Sequence, residues 1–227
     1  CLEIKAYDYM LRFEKDFNTT DTTGNAFEII SLCCKACGVE FAHTKNEIES
    51  MPNGNTVLSI YAENDIETYR DVLFCIGQVL GGFFCITREG KLGFRKYGID
   101  PVMNITNKQR FSSSFSGFIT RYTAVSSTNM RTQTAEYYAL ERDDGLTMNL
   151  GVNPFLQFGV DETRKELCEQ ILTDISVINY VPFDSETIGN PALDLGDVLR
   201  FSGGHADEEQ LTCITYSQCR IGGKHSL

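Results

Sequence analysis

Apolar residues recur every three or four positions in three stretches and every second position in several others. The first helical stretch opens at Asn25, whose side chain can accept from the free amides of a first turn. Glu28 stands three residues on, the spacing of a capping box. Phe27, Ile30, Cys34 and Cys37 then share one face, and Gly38 suits a left-handed end. A second helix is predicted from about Asp65, with Tyr69, Val72, Leu73, Ile76, Val79 and Leu80 as its stripe and Gly81-Gly82 as its stop. The third and longest spans about 161–178. Its apolar face is Leu167, Cys168, Ile171, Leu172, Ile175 and Ile178, and Asp161-Glu162 suits the positive end of the helix dipole.

Alternation predicts strands. Leu2, Ile4 and Ala6 suggest a short one, followed by a helical turn over Tyr7–Phe13. Asn18–Asn25 and Pro52–Asn55 are loop and turn, and Val57–Ala62 is extended. Phe83–Thr87 and Leu92–Tyr97 flank Arg88–Lys91 as a hairpin. Phe115–Val125 is extended. Glu136–Leu140 and Leu146–Leu150 flank Asp143-Asp144-Gly145, a second hairpin signal. Val181–Ile188, Val198–Phe201 and Leu211–Ile221 complete the set. Helices and strands mix without a βαβ rhythm, so the fold class is α+β.

Gly189-Asn190-Pro191 predicts a shaped corner. Pro191 sets its own φ and drives Asn190 extended. Gly189 and Gly196 permit positive φ, Leu193 and Leu195 flank Asp194 to give one apolar face, and Asp197 can accept backbone amides.

Two stretches, Tyr69–Tyr97 and Asn179–Phe201, carry a family resemblance. In the first a helix runs into Gly81-Gly82-Phe83, a strand and an Arg88-Glu89-Gly90-Lys91-Leu92 hairpin. In the second Tyr180-Val181-Pro182 precedes Gly189-Asn190-Pro191 and Gly196-Asp197. With the opening Ile4–Phe17 and the closing Cys219–Leu227, they resemble the hub proteins of phage tails, including the N-terminal region of tail-associated lysins of Gram-positive phages. The resemblance implies a virion structural protein made in the bacterial cytoplasm and carried at the tail tip. It implies a trimer that joins the tail tube to the tip through tail-tube and baseplate proteins. It also implies an α/β lobe over residues 1–98, with the opening strand inside 1–17 assignable to a barrel domain. Residues 99–227 would then form a barrel-like, tail-tube-type domain carrying helix 161–178.

Composition narrows the chemistry. The chain has 227 residues, enough for one or two domains, and a net charge of −11 that opposes binding to phosphate backbones by bulk charge. No apolar run approaches the roughly 18 residues of a membrane span, and the N-terminus has no signal-peptide pattern. The nine cysteines sit mostly in apolar periodic segments and read as reduced, buried thiols. Cys34-Lys35-Ala36-Cys37 is a lone C-x-x-C at a helix C-terminal end, where neither a zinc site nor a low thiol pKa is expected. His43, His205 and His225 stand in loops or the tail with no nucleophile context, and read as solvent-exposed. Asp143-Asp144 and Asp207-Glu208-Glu209 read as solvated turn charges; calcium at Asp194–Asp197 or Asp207–Glu209 is an alternative. The reading is a non-enzymatic tail component without cofactor or metal. Its only assigned residues are the structural turn Gly189, Asn190, Pro191, Gly196 and Asp197. The alternative is a wall-binding or peptidoglycan-hydrolysing module of the same apparatus.

Overall fold

In a computed structural model of the chain, residues 5–18, 22–60, 65–156, 161–203, 206–219 and 225–226 are described. A 3-10 turn, Tyr9–Glu14, is followed by β1 (Thr22–Gly24), α1 (Ala26–Cys37), α2 (Lys45–Glu49), β2 (Leu58–Ile60), α3 (Tyr69–Val79), β3 (Gly82–Ile86) and β4 (Leu92–Lys96). Then come β5 (Met103–Thr106), a 3-10 turn at Asn107–Gln109, β6 (Arg110–Phe115), β7 (Thr120–Asn129), β8 (Thr134–Ala139), β9 (Leu146–Asn149) and α4 (Asp161–Ile175). The chain closes with β10 (Asn179–Tyr180), β11 (Phe183–Thr187), β12 (Val198–Gly203), β13 (Ala206–Cys213), β14 (Gln218–Cys219) and β15 (His225–Ser226). The class is α+β. The expected strand over Leu2–Ala6 lies partly outside the described residues, as do the ends of the expected Val57–Ala62 and Leu211–Ile221 strands.

Two compact units emerge. The first comprises Cys1–Lys96, Ala124–Arg142 and Thr147–Asp174; the second comprises Tyr97–Thr123, Asp143–Leu146 and Ile175–Leu227.

In the first unit three helices begin with reciprocal caps. Asn25 Oδ1 accepts from the Glu28 amide at 3.0 Å, and Glu28 accepts from the Asn25 amide at 3.0 Å. Gly38 ends α1 at φ 66°, a conformation costly for any side chain with a Cβ. The buried face of α1 is Ala26, Ile29, Ile30, Cys33 and Cys34, so Phe27 and Cys37 lie at its border rather than at its centre. α3 starts at Tyr69 and not near Asp65, because Thr68 and Asp71 form the cap: the Thr68 amide donates to Asp71 at 2.8 Å. The same Thr-x-x-acid pattern at Thr44–Glu47 starts α2, a helix absent from the sequence reading. Val72, Leu73, Ile76, Val79 and Leu80 of the α3 stripe are at most 2% exposed. Burial of each such side chain contributes roughly 1.5–3 kcal/mol. Asn53, at φ 61°, donates to the carbonyls of Val79 (2.9 Å) and Leu167 (3.1 Å), so one turn residue ties two helices.

β3 and β4 form the expected hairpin, with Phe84 opposite Phe94. The second expected hairpin does not form: β8 and β9 both pair with β7, not with each other. The reason is at the turn. The Gly145 amide donates to Thr123 Oγ1 at 2.9 Å, and Thr123 donates to Asp143 at 2.7 Å, which binds the Asp143–Gly145 segment to β7 instead of letting it reverse the chain on itself.

In the second unit β5 lies parallel beside β12, which pairs antiparallel with β13. β6 pairs with β11, which continues into β15 and β14. Among the described residues no sheet closes into a barrel. The 3-10 turn at Asn107–Gln109 redirects the chain between β5 and β6, so two consecutive strands enter two different sheets. Their shared core is Ile105, Leu199, Phe201 and Ile214, with Met103, Phe115, Phe183 and Leu193 packed against it. The Phe183 and Phe201 rings lie 4.7 Å apart.

Candidate functional site

The corner after β11 is built from two successive turns. In the first, the Ala192 amide donates to Asn190 Oδ1 at 3.0 Å and the Leu193 amide to the Asn190 carbonyl at 3.3 Å. Asn at the first position and Pro191 at the second are the residues such a turn favours, one for its side-chain acceptor and one for its fixed φ. In the second, the Asp197 amide donates to the Asp194 carbonyl at 3.1 Å, and Gly196 takes φ 85° at the third position. Only glycine takes that conformation without strain. Asp197 Oδ2 accepts from the Asp194 amide at 2.8 Å. The Gly196 amide donates to the Ile214 carbonyl at 2.8 Å and the Ile214 amide to the Asp197 carbonyl at 3.0 Å, which fastens the corner to the core. Of the two glycines that permit positive φ, Gly196 adopts it and Gly189 does not. Leu193 packs against the core, while Leu195 is 47% exposed, because two turns in a row abolish the alternation expected of an extended segment.

A cleft of about 250 Å³ opens beside this corner. Met103, Ile105, Ile188 and Leu193 supply its apolar lining, and Gln109 and Asn190 its polar edge. Both amide side chains are already engaged: Gln109 accepts from the Thr106 amide at 2.9 Å, and Asn190 donates to Met103 Sδ at 3.4 Å. The corner residues therefore meet in space, and their side-chain oxygens hold backbone amides.

The thiols are placed for packing. Cys33 and Cys34 are buried on α1, and burial pushes Cys34 up to about 12; Cys33 and Cys37 are raised by the same cause. Cys75 is raised to about 12 and Cys168 to about 11, again by burial. A nucleophilic or metal-binding cysteine needs the opposite shift. Among the described residues no three His, Cys, Asp or Glu side chains converge on a metal position. Asp143 and Asp144 are not simply solvated: Asp143 accepts from Thr123, and Asp144 pairs with Arg121.

One polar residue escaped sequence reasoning and another was placed differently by the structure. Arg164 is 1% exposed inside the first unit, where its Nε donates to Glu136 Oε2 at 2.8 Å. Its signal was available: 164, 168 and 171 share one helical face, so a cation stood in the apolar stripe. His43 is half-buried rather than solvent-exposed, with Nε2 against the backbone of Phe94. The side chains of His205 and His225 lie outside the described residues.

No protein-family model and no curated protein matches the sequence. Solved structures do match. The fold is that of prophage tail proteins. It is similar to the 43 kDa tail protein of prophage MuSo2 from Shewanella oneidensis, with a TM-score of 0.58 and 10% identity over 97% of this chain and 67% of that one. It is similar to prophage tail protein gp18 of Listeria monocytogenes EGD-e, at 0.56 and 12% over 96% of this chain and 68% of that one. The tail protein of Neisseria meningitidis MC58 follows at 0.51 and 13%, over 94% and 68%. At these identities the likeness is one of fold. No helix among the described residues is long and apolar enough to cross a membrane.

Proposed function

We propose that this chain is a structural component of a bacteriophage or prophage tail. In this reading it is a hub or baseplate protein at the tail tip, links tube to tip, and works without catalysis. It assembles with itself as a trimer and with distal-tail, tube or baseplate proteins. The observation that carries the reading is the likeness in fold, which runs over 94–97% of the chain in three tail proteins from three bacterial hosts. Two further features support it. The corner at Gly189–Asp197 uses its polar atoms to shape backbone, as a scaffold does. The second unit also exposes large apolar side chains, among them Val102, Phe111, Phe118, Ile119 and Ile188, each 57–60% exposed, which suits burial against neighbouring subunits.

Immunogold electron microscopy of particles induced from a lysogen carrying the gene tests it. Gold at the distal tail tip is the expected result. Intact tails labelled elsewhere along the tube would overturn the hub position, and unlabelled tails would overturn the tail role itself. A peptidoglycan-digestion assay with the purified chain addresses catalysis: robust turnover abolished by a single His→Ala or Cys→Ala change would refute the structural reading.

A further inference from the structure

The connector between α1 and α2 docks on β4 as a parallel rung. Phe41 bridges Leu92; the Leu92 amide donates to the Glu40 carbonyl and the Ala42 amide to the Leu92 carbonyl, each at 2.8 Å. At the next rung a side chain replaces backbone. His43 Nε2 lies 3.0 Å from the Phe94 nitrogen and 3.1 Å from the Phe94 carbonyl oxygen. One ring nitrogen cannot serve both groups. With its proton on Nδ1 the neutral ring presents Nε2 as an acceptor, whose partner is the Phe94 amide; with a proton on Nε2, as in the other neutral tautomer and in the imidazolium, it is only a donor, and its partner is the carbonyl. The half-buried ring is held edge-on to Phe41, with centroids 5.4 Å apart, so either state is met with little movement.

We infer that His43 is a proton-operated latch on this connector. The neutral ring carries its proton on Nδ1 and accepts from the Phe94 amide, and protonation of Nε2 transfers the hydrogen bond to the Phe94 carbonyl. The amide of a central β4 residue then loses its acceptor, and the docking of residues 40–44 on β4 loosens. Histidine is the side chain suited to this, because it changes charge between roughly pH 5 and 8. The charged groups on the surrounding elements are as follows. On the connector and β4, Glu40 pairs with Lys91 at 2.9 Å, and Lys96 pairs with Asp174 at 3.0 Å. Arg95 follows Phe94 on β4. On α2, Lys45 pairs with Glu49 at 3.4 Å. Glu47 is the α2 carboxylate whose charge reaches His43, and it is engaged by Thr44 at 2.6 and 2.7 Å. β3 carries no charged residue.

The test is a nuclear magnetic resonance titration of the 227-residue chain from pH 8 to 5, labelled with 15N at phenylalanine and 13C at the histidine rings. The Phe94 amide should move with the His43 ring and share its midpoint. Its protection against hydrogen exchange, corrected for intrinsic rate, should fall about tenfold, the factor for one hydrogen bond of ordinary net strength. In His43→Gln, which keeps an acceptor and a donor but does not titrate, the Phe94 amide should stay still. The proposal is overturned by a His43 ring that does not titrate in this range, or by a Phe94 amide that ignores the His43 titration. It is equally overturned by a Phe94 titration that persists in His43→Gln. Should that variant fail to fold, the shared midpoint in the unaltered chain decides alone.

Discussion

Arg164 Nε donates to Glu136 Oε2 at 2.8 Å, and the guanidinium that does so is 1% exposed. Glu136 is held in turn by Asn129 Nδ2 and the Tyr138 hydroxyl, each at 2.7 Å, so one carboxylate anchors a cation and two neutral donors. Removing one partner of such a pair costs more than replacing both, because the survivor stays buried and uncompensated. Glu136→Gln should therefore destabilise the chain by about 3–5 kcal/mol. Arg164→Met leaves Glu136 22% exposed and still held by Asn129 and Tyr138, and should cost distinctly less. Urea unfolding of both variants checks the order, and equal losses would show that packing rather than charge dominates.

The same carboxylate predicts an acid limb of stability. Burial raises the Glu136 pKa, but the hydrogen bonds from Asn129, Arg164 and Tyr138 and the Arg164 charge outweigh it, and the net direction is down. A carboxyl depressed by folding stabilises above its unfolded pKa, near ~4.3. That contribution is lost as pH falls through the folded value. Unfolding free energy measured between pH 6 and 3 should fall less steeply in Glu136→Gln than in the unaltered chain.

The corner makes a paired prediction. Gly196 sits at φ 85° and Gly189 does not have positive φ. Gly196→Ala should cost about 1–2 kcal/mol, the penalty of the left-handed region, whereas Gly189→Ala should stay within about 0.5 kcal/mol. Denaturation midpoints of the two variants, measured side by side, would contradict the assignment if they shifted equally.

Ile171 is 1% exposed on α4. Ile171→Asp places an unpaired charge in an apolar interior and should abolish the cooperative thermal transition. A melting curve like that of the unaltered chain would mean that the buried face of α4 lies elsewhere.

Cys34 and Cys75, raised to about 12 by burial, should resist disulfide-exchange reagents in the folded chain at pH 8. Their thiolate fraction is lower than that of a free cysteine by a factor on the order of a thousand. Half-buried Cys37 should react before either. Thiol counting with and without denaturant measures this, and rapid native reaction at Cys34 would refute it.

Periodicity and capping chemistry determined a good part of the fold. The Asn25–Glu28 cap, the Gly38 stop, the α3 and α4 stripes and the β3–β4 hairpin follow from signals within a few residues of one another, where local physics acts alone. Gly196, Asn190 and Pro191 were equally legible, since each supplies a turn with a φ or an acceptor that few residues offer. Tertiary structure decided what local signals leave open. Asp143-Asp144-Gly145 reads as a hairpin turn in any short window; only the Thr123 hydroxyl, about twenty residues away in the chain, makes it a strand crossing. The separation of β5 from β6 into different sheets depends on partners about seventy to a hundred residues distant. Arg164 and His43 show the same division. Their positions are plain in the sequence, but a buried cation needs Glu136 and a half-buried imidazole needs the Phe94 backbone. Neither partner is selected by propensity; each is brought there by strand pairing.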